Sequence, residues 1–482
     1  MRLTRGLAIA LLGLAIAVLA LAPASGAASP PEPEPPTQSE IQPETQPETL
    51  PEDDLLGELV VEAKRRSALV LPKIAVLSPP AGESDFLHDI LERDLELSGE
   101  FEVIQLDLSI DFDDPFHARE FKNTGLEAVV TAETRERDDG QLELAVRLYL
   151  PAAGDFVAWS NNGTASASES RLAAHRLGDG IIGALTGTDG PFASRLILVR
   201  TENKSRRAYI VDPDGHGLTP VSPDEHLVVT ATLDRDAWPW WAASQRSGPY
   251  RLYRHGQTEP VAVDPSGSIY GIAFAPNGTD VALSIARDET IQVFVGELGS
   301  PFEARSNLDF GLSPTFTRDG RVVYAGTRGK RHRIYVEAKS VSPKDVSAYA
   351  PAICNHPDGR LLVYAVGLGK NTDLVTSKLD GTDMKRLTWG RARNFAPTCS
   401  PDGRLVAFFS TRTQDEGPGL YLMRVDGHRP KRIDASVGDV LAWARIPAQG
   451  RPPFDEAPEQ ETEPEPEPQA EPESEPIQPH AP

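Results

Sequence analysis

Past Ala22 the sequence has no apolar run long enough to cross a bilayer, which excludes a multi-spanning membrane protein. Cysteine is nearly absent. Cys354 and Cys399 are the only two among 482 residues, too few for a disulfide-built scaffold, and no other ligands stand at zinc-site spacing around them. They occupy near-equivalent places in consecutive repeats but are offset by one residue relative to the turns that follow, so the reading favours two buried thiols over a disulfide. Basic charge is also scarce. The net charge is −23, with eight acidic and no basic residues in 28–57 and ten acidic residues beside the single Arg451 in 451–482, leaving about −8 on the body between. A nucleic-acid binder would show a basic body, and this one does not. No Gly-x-Ser-x-Gly elbow occurs, and no segment is left over for a hydrolase domain. The visible carboxylate pairs fall in turns or acidic tails, so the expectation is no enzyme, no cofactor and no metal.

The amino terminus sets the compartment. Arg2 and Arg5 precede the apolar run Gly6–Ala22, and Pro23 and the small residues Ala24–Ala27 follow it. That is the pattern of a cleavable signal peptide over 1–27, with an uncleaved membrane anchor as the rival reading. No cysteine follows the run, which argues against a lipid-modified terminus. Residues 28–57 and 448–482 are rich in Pro and Glu and read as disordered spacers, because they lack the apolar area to offset ordering entropy.

Residues 58–190 read as an α/β unit. Strands are expected at Glu58–Glu62, Lys73–Leu77, Phe101–Ile104, Ala128–Ala132 and Gln141–Leu150, with helices over Asp85–Leu97 and Ser170–Leu185. Beyond residue 190 short strands recur with regular turns. Pro314–Gly320, Pro351–Gly359 and Pro397–Gly403 are copies of one motif ending in Asp-Gly, and Ala273–Gly278 is a fainter fourth. The closing glycines are 42, 39 and 44 residues apart, the period of a four-stranded propeller blade. In Pro-Asp-Gly the proline pre-sets φ, the Asp bonds nearby backbone and the Gly takes the positive φ of a tight hairpin, so these Asp residues serve the fold. Trp238–Tyr253 fits a further blade. Arg195–Val199 and Arg207–Val211 lack one strand, which Val440–Ile446 would supply. The expected fold is an α/β amino-terminal domain plus an all-β six-bladed β-propeller over 191–447, closed by strands from both ends.

The series Arg171-Leu-Ala-Ala-His175, Asp179, Leu185-Thr-Gly187 and Gly190-Pro-Phe192 through Arg195, with Asp94-Leu95, Ser98-Gly99 and Phe101 earlier, resembles the TolB family of periplasmic propeller proteins. The resemblance covers roughly 58–446. It implies a periplasmic protein-binding component of a Tol-Pal-like system. The implied partners are a peptidoglycan-associated lipoprotein on the propeller and inner-membrane Tol proteins on the amino-terminal domain, acting in outer-membrane integrity and cell division. A propeller binding a small ligand or glycan is the alternative, and a hydrolase of unfamiliar design the remaining one. Two features depart from the family: Glu58–Glu62, similar to its partner-selecting amino terminus, lies behind a long linker, and the acidic carboxyl tail is additional.

Candidate binding residues follow from blade topology. Arg246, Arg328 and Arg412 recur two residues after Ser244, Gly326 and Ser410, in loops opposite the Pro-Asp-Gly turns. An arginine ring there suits an acidic partner surface, against the plainer reading of repeat residues bonding neighbouring loops. Lys330, Arg331 and Arg333 add charge beside Arg328. Trp240 and Trp241, with Trp238, read as blade core with a possible interface anchor among them. His175 and Asp179, four apart on one helical face, read as a structural pair at the domain junction.

Overall fold

The computed structural model describes residues 70–80 and 86–448, apart from 204, 246, 328, 391 and 415. The signal-peptide reading, both Pro/Glu-rich segments and the Glu58–Glu62 strand lie outside the described residues.

The amino-terminal unit is one five-stranded sheet with two helices. In chain order its elements are β1 (Lys73–Leu77), α1 (Phe86–Ser98), β2 (Glu102–Val103), β3 (Leu126–Glu136), β4 (Leu142–Tyr149), β5 (Val157–Ala165) and α2 (Ser170–Thr186). The sheet order is β2-β1-β3-β4-β5, with β1 parallel to both neighbours and the rest antiparallel. After Lys73 every residue of β1 is buried, as a strand enclosed on both sides requires. Helix α1 buries Leu87, Ile90, Leu91 and Leu95 along one face, and Gly99 at φ 66° takes the left-handed turn that ends it. Gly187 does the same for α2 at φ 81°, its N–H donating to the Gly183 carbonyl.

From α2 the chain runs directly into β6 (Ser194–Glu202), β7 (Ser205–Val211) and β8 (Thr219–Pro220). These three form one sheet with the last described strand, Val440–Arg445, which lies antiparallel to β6 with Val440 opposite Val199 and Arg445 opposite Ser194. Between them come five further antiparallel groups, whose first strands are His226–Leu233, Ser268–Phe274, Phe310–Phe316, Ala348–His356 and Asn394–Cys399. A single parallel contact, Ile291 with Phe310, joins the third and fourth of the six groups into one sheet. Each first strand packs beside the next, and Val440–Arg445 touches both Asn394–Cys399 and His226–Leu233.

The repeat's proline has a job the sequence did not reveal. Ser313, Ala350 and Ala396, the residues just before Pro314, Pro351 and Pro397, all take positive φ, at 50°, 47° and 49°. Each stands where the first strand slips register against the second. The proline therefore marks a β-bulge that bends the strand, and its missing N–H costs no ladder bond there.

Cys354 and Cys399 form a disulfide, with Cα atoms 5.2 Å apart, correcting the two-thiol reading. They sit on the first strands of adjacent groups, opposite Leu361 and Val406. The Ala348–His356 strand runs on to a two-residue hairpin at Pro357-Asp358, whereas the next hairpin is longer, and this accounts for the offset between each cysteine and its turn. Side-by-side packing of strands decides whether sulfurs meet.

Candidate functional site

The two halves share one apolar core. Leu91 and Leu95 of α1, Leu177 and Ile181 of α2, Phe192, Leu196 and Leu198 at β6, and Phe409, Leu420 and Leu422 of the sixth group form a continuous buried cluster. Glycines let the layers approach. A Cβ at Gly178 would stand 3.1 Å from an Asp94 carboxylate oxygen, and one at Gly190 would meet Asp179 at 2.6 Å.

Into this apolar setting the fold brings a polar cluster. His175 Nδ1 lies 2.7 Å from Asp94 Oδ2, and both side chains are closed to solvent. Burial alone would lower the imidazole, but Asp94, with Asp214 and Asp212 behind it, holds its pKa up at about 9. Burial pushes Asp94 up to about 6, and His175 draws it back. At neutral pH the pair is thus carboxylate and imidazolium. Arg171, one turn before His175, carries the cluster across the junction. Its Nε donates to Asp212 Oδ2 at 3.3 Å and its Nη2 to Asp214, both in the turn between β7 and β8. Asp94, His175 and Asp214 place ligand atoms within 4.8 Å of one another. A charged imidazole and a guanidinium already stand against these carboxylates, so the cluster is built for a proton and an arginine rather than for a metal ion.

His175 and Asp179 do not pair with each other, which corrects the sequence reading. Asp179 instead accepts the backbone N–H groups of Phe192 at 2.7 Å and Ala193 at 2.8 Å, with Arg445 3.7 Å away. Burial pushes this carboxyl up to about 7 despite those donors. Each residue ties α2 to a different neighbour: His175 to α1 and Asp179 to the entry of β6. The sequence reading passed over Asp212 and Asp214 because their Pro-Asp-Gly turn follows a second strand, outside the repeat's usual place.

Beside the cluster lies a cavity of about 170 Å³. Leu172, Ile210, Val221 and Ile446 give it apolar walls, and Arg171, Arg195, Asp212, His216 and His255 give it polar ones.

The predicted arginine ring is only partly visible. Arg246 and Arg328 lie outside the described residues. Arg331 is exposed. Arg412 folds back on its own blade, with Nε donating to Ser410 Oγ at 3.0 Å and its guanidinium 4.3 Å from the Tyr421 ring. Trp240 and Trp241 are buried, 6 % and 2 % exposed, and so belong to the blade core. Other apolar side chains are exposed at the entries to the first strands: Leu227, Tyr349, Trp389 and Val437.

Residues 182–447 match the family model of the TolB beta propeller domain, and residues 65–154 match that of the TolB amino-terminal domain. The chain belongs to the TolB family. Tol-Pal system protein TolB of Francisella tularensis subsp. mediasiatica (strain FSC147) is 25 % identical over 303 residues, covering 56 % of this chain and 67 % of that protein. Its counterpart in F. tularensis subsp. tularensis (strain SCHU S4 / Schu 4) is also 25 % identical over 303 residues, with 66 % of its length covered. The crystal structure of TolB from Acinetobacter baumannii superposes with a TM-score of 0.66 at 22 % identity, covering 78 % of this chain and 97 % of that one, and so shows the same fold. The TolB-like arrangement of an α/β domain followed by propeller sheets is therefore present. Among the described residues no helix is long and apolar enough to cross a membrane.

Proposed function

We propose that this protein is the periplasmic protein-binding component of a Tol-Pal-like system. In this reading it links a peptidoglycan-associated lipoprotein to inner-membrane Tol proteins in the service of outer-membrane integrity and cell division. It works by surface recognition without turnover. The observation that carries the reading is the match to both TolB domains in their family order, residues 65–154 and then 182–447. The neighbour relations of the first strands favour a ring of six blades closed by Val440–Arg445 beside β6.

The face at the entries to the first strands suits a protein partner. Leu227, Tyr349 and Trp389 are exposed there, and Arg331 lies exposed in the loop before His332–Val336. Aromatic anchors beside cationic groups are the composition of an interface hot spot. Arg246 and Arg328 remain part of the proposal through their repeat positions, and Arg412 contributes by holding its loop.

Crosslinking in intact cells tests the reading. Full-length protein carrying a photoreactive group at Tyr349 or Arg331 is expected to capture an outer-membrane lipoprotein that itself binds peptidoglycan. Capture of no envelope protein from either position, with the protein folded and exported, would overturn it.

A further inference from the structure

The amino-terminal sheet ends at β5, whose outer side pairs with no other strand among the described residues. The turn from β3 to β4 decides which groups point outward. Arg137 N–H donates to the Gln141 carbonyl there, so Leu144, Val146 and Leu148 turn their backbone groups toward β5, where they face Gly163, Asn161 and Trp159. Ser160, Asn162 and Thr164 therefore present their own N–H and C=O groups outward. The Asn162 N–H meets the side-chain oxygen of Asn161 at 2.9 Å, a local partner that a neighbouring strand would replace. An open edge is normally guarded by lysine, proline or an inward-pointing charge. Here neither a charged residue nor a proline stands between Asp155 and Glu169. A bulge interrupts the register near Ala158, but Trp159–Ala165 pair regularly with β4.

We propose that β5 is an assembly edge, which pairs antiparallel with β5 of a second copy of this chain, Asn162 against Asn162. This register brings all three outward residues into hydrogen-bonded pairs, with Ser160 opposite Thr164 on both sides of the axis, and exchanges about six backbone hydrogen bonds. The side chains agree with it. Ser160 with Thr164, and Asn162 with its counterpart, can bond each other across the seam, while bulky Trp159 meets small Ala165 and Asn161 meets Gly163. Charge favours a second copy as the occupant. Two chains of net charge −23 repel over much of their surface, and this neutral stretch is where they can approach. Phe156 and Val157, 60 % and 42 % exposed at the head of the strand, would gain cover from residues 166–168 of the other copy. The seam is shorter than a standard interface of roughly 1,200 Å² or more, so the dimer is a transient one, with dissociation on the order of 100 µM. It would display two propellers at once and hold a repeated surface more tightly than one copy can.

Sedimentation of the full chain up to about 1 mM should show a reversible monomer–dimer equilibrium that added salt does not dissolve, because the seam is neutral. Asn162→Cys should join two copies by a disulfide, since hydrogen-bonded antiparallel partners hold their Cα atoms about 5.5 Å apart. Asn161→Cys, diagonal to its own counterpart, should not. Asn162→Pro removes an outward N–H that β4 does not use, and Asn162→Lys sets like charges face to face. Both variants should keep the parent's circular dichroism melt and weaken the dimer by about tenfold or more. A chain that stays monomeric at about 1 mM would overturn the proposal. So would a dimer indifferent to both variants, one that salt dissolves, or a disulfide that forms faster through position 161 than through 162. A chain that crosslinks through Asn162→Cys in cells only to a different envelope protein would assign the edge to that protein, and equally overturn it.

Discussion

Asp94 of α1 and His175 of α2 form an ion pair sealed from solvent, and among the described residues the other Asp94 carboxylate oxygen has no hydrogen-bond partner. A buried charge pair of this kind adds little net stability, yet removing one member strands the other charge in an apolar medium. His175→Ala and Asp94→Ala should each destabilise the protein by about 3–5 kcal/mol. The double variant should lose much less than the sum, since no orphan charge remains. Urea unfolding of the four proteins measures this, and additive losses would contradict the pairing.

The same pair sets a pH dependence. His175 titrates at about 9 in the folded protein against 6.5 for a free imidazole. The folded state therefore holds this proton more tightly. The stabilisation is fully present below about pH 6.5 and disappears as pH rises through about 9. Thermal unfolding between pH 7 and pH 10 should show a decline in the parent that is absent in His175→Gln. An identical decline in both would assign the alkaline loss to other groups.

Arg171 joins α2 to the Asp212–Asp214 turn, so its loss should loosen the two halves before it unfolds either. Arg171→Ala leaves Asp214 without its guanidinium, and a cost of about 1–3 kcal/mol is expected for this partly exposed contact. Limited proteolysis should cut first between Gly187 and Ser194, the connection from α2 to β6. Unchanged cleavage there would show that the shared apolar core alone holds the junction.

The disulfide closes a loop of 45 residues between adjacent first strands. Replacing both Cys354 and Cys399 with Ser should lower stability by about 2–4 kcal/mol without changing the fold. Thiol labelling of the parent under denaturing, non-reducing conditions should find none reactive. Two reactive thiols would restore the reading made from the sequence.

Gly215 adopts φ 91°, and a Cβ there would come within 2.0 Å of the Ile433 carbonyl oxygen. Gly215→Val should therefore separate the first sheet from the sixth group and destabilise by roughly 2 kcal/mol or more. Circular dichroism melting checks it, with Gly217→Val as the milder comparison, because nothing lies within 4 Å of a Cβ at that position.

Much of this architecture was legible where local pattern and tertiary role coincide. The helically spaced apolar positions of Phe86–Ser98 and the unbroken run in Lys73–Leu77 gave away α1 and β1, because burial writes period directly into sequence. β5 was missed for the converse reason. It is an edge strand, mostly exposed, and Ser160-Asn161-Asn162-Gly163 carries no alternation. The site was harder still. His175 stood out, but its partner Asp94 lies 81 residues away and its neighbours Asp212 and Asp214 sit in a turn that imitates the repeat. Pairings at that distance depend on how helices dock, and single-chain spacing holds no record of docking. Trp240 and Trp241 illustrate the opposite ambiguity, since aromatics suit cores and interfaces alike and only their burial in the fold separates the two.

The placement of Val440–Arg445 beside β6 has a consequence for how the chain matures. Partners more than 240 residues apart cannot meet until residues 440–445 have emerged, so the inner edge of Ser194–Val199 stays unpaired until then. A premature stop anywhere before residue 440 would leave that edge permanently bare, offering a ready template for sticking to other chains. Quality control of this molecule is in effect written into the six-residue strand Val440–Arg445.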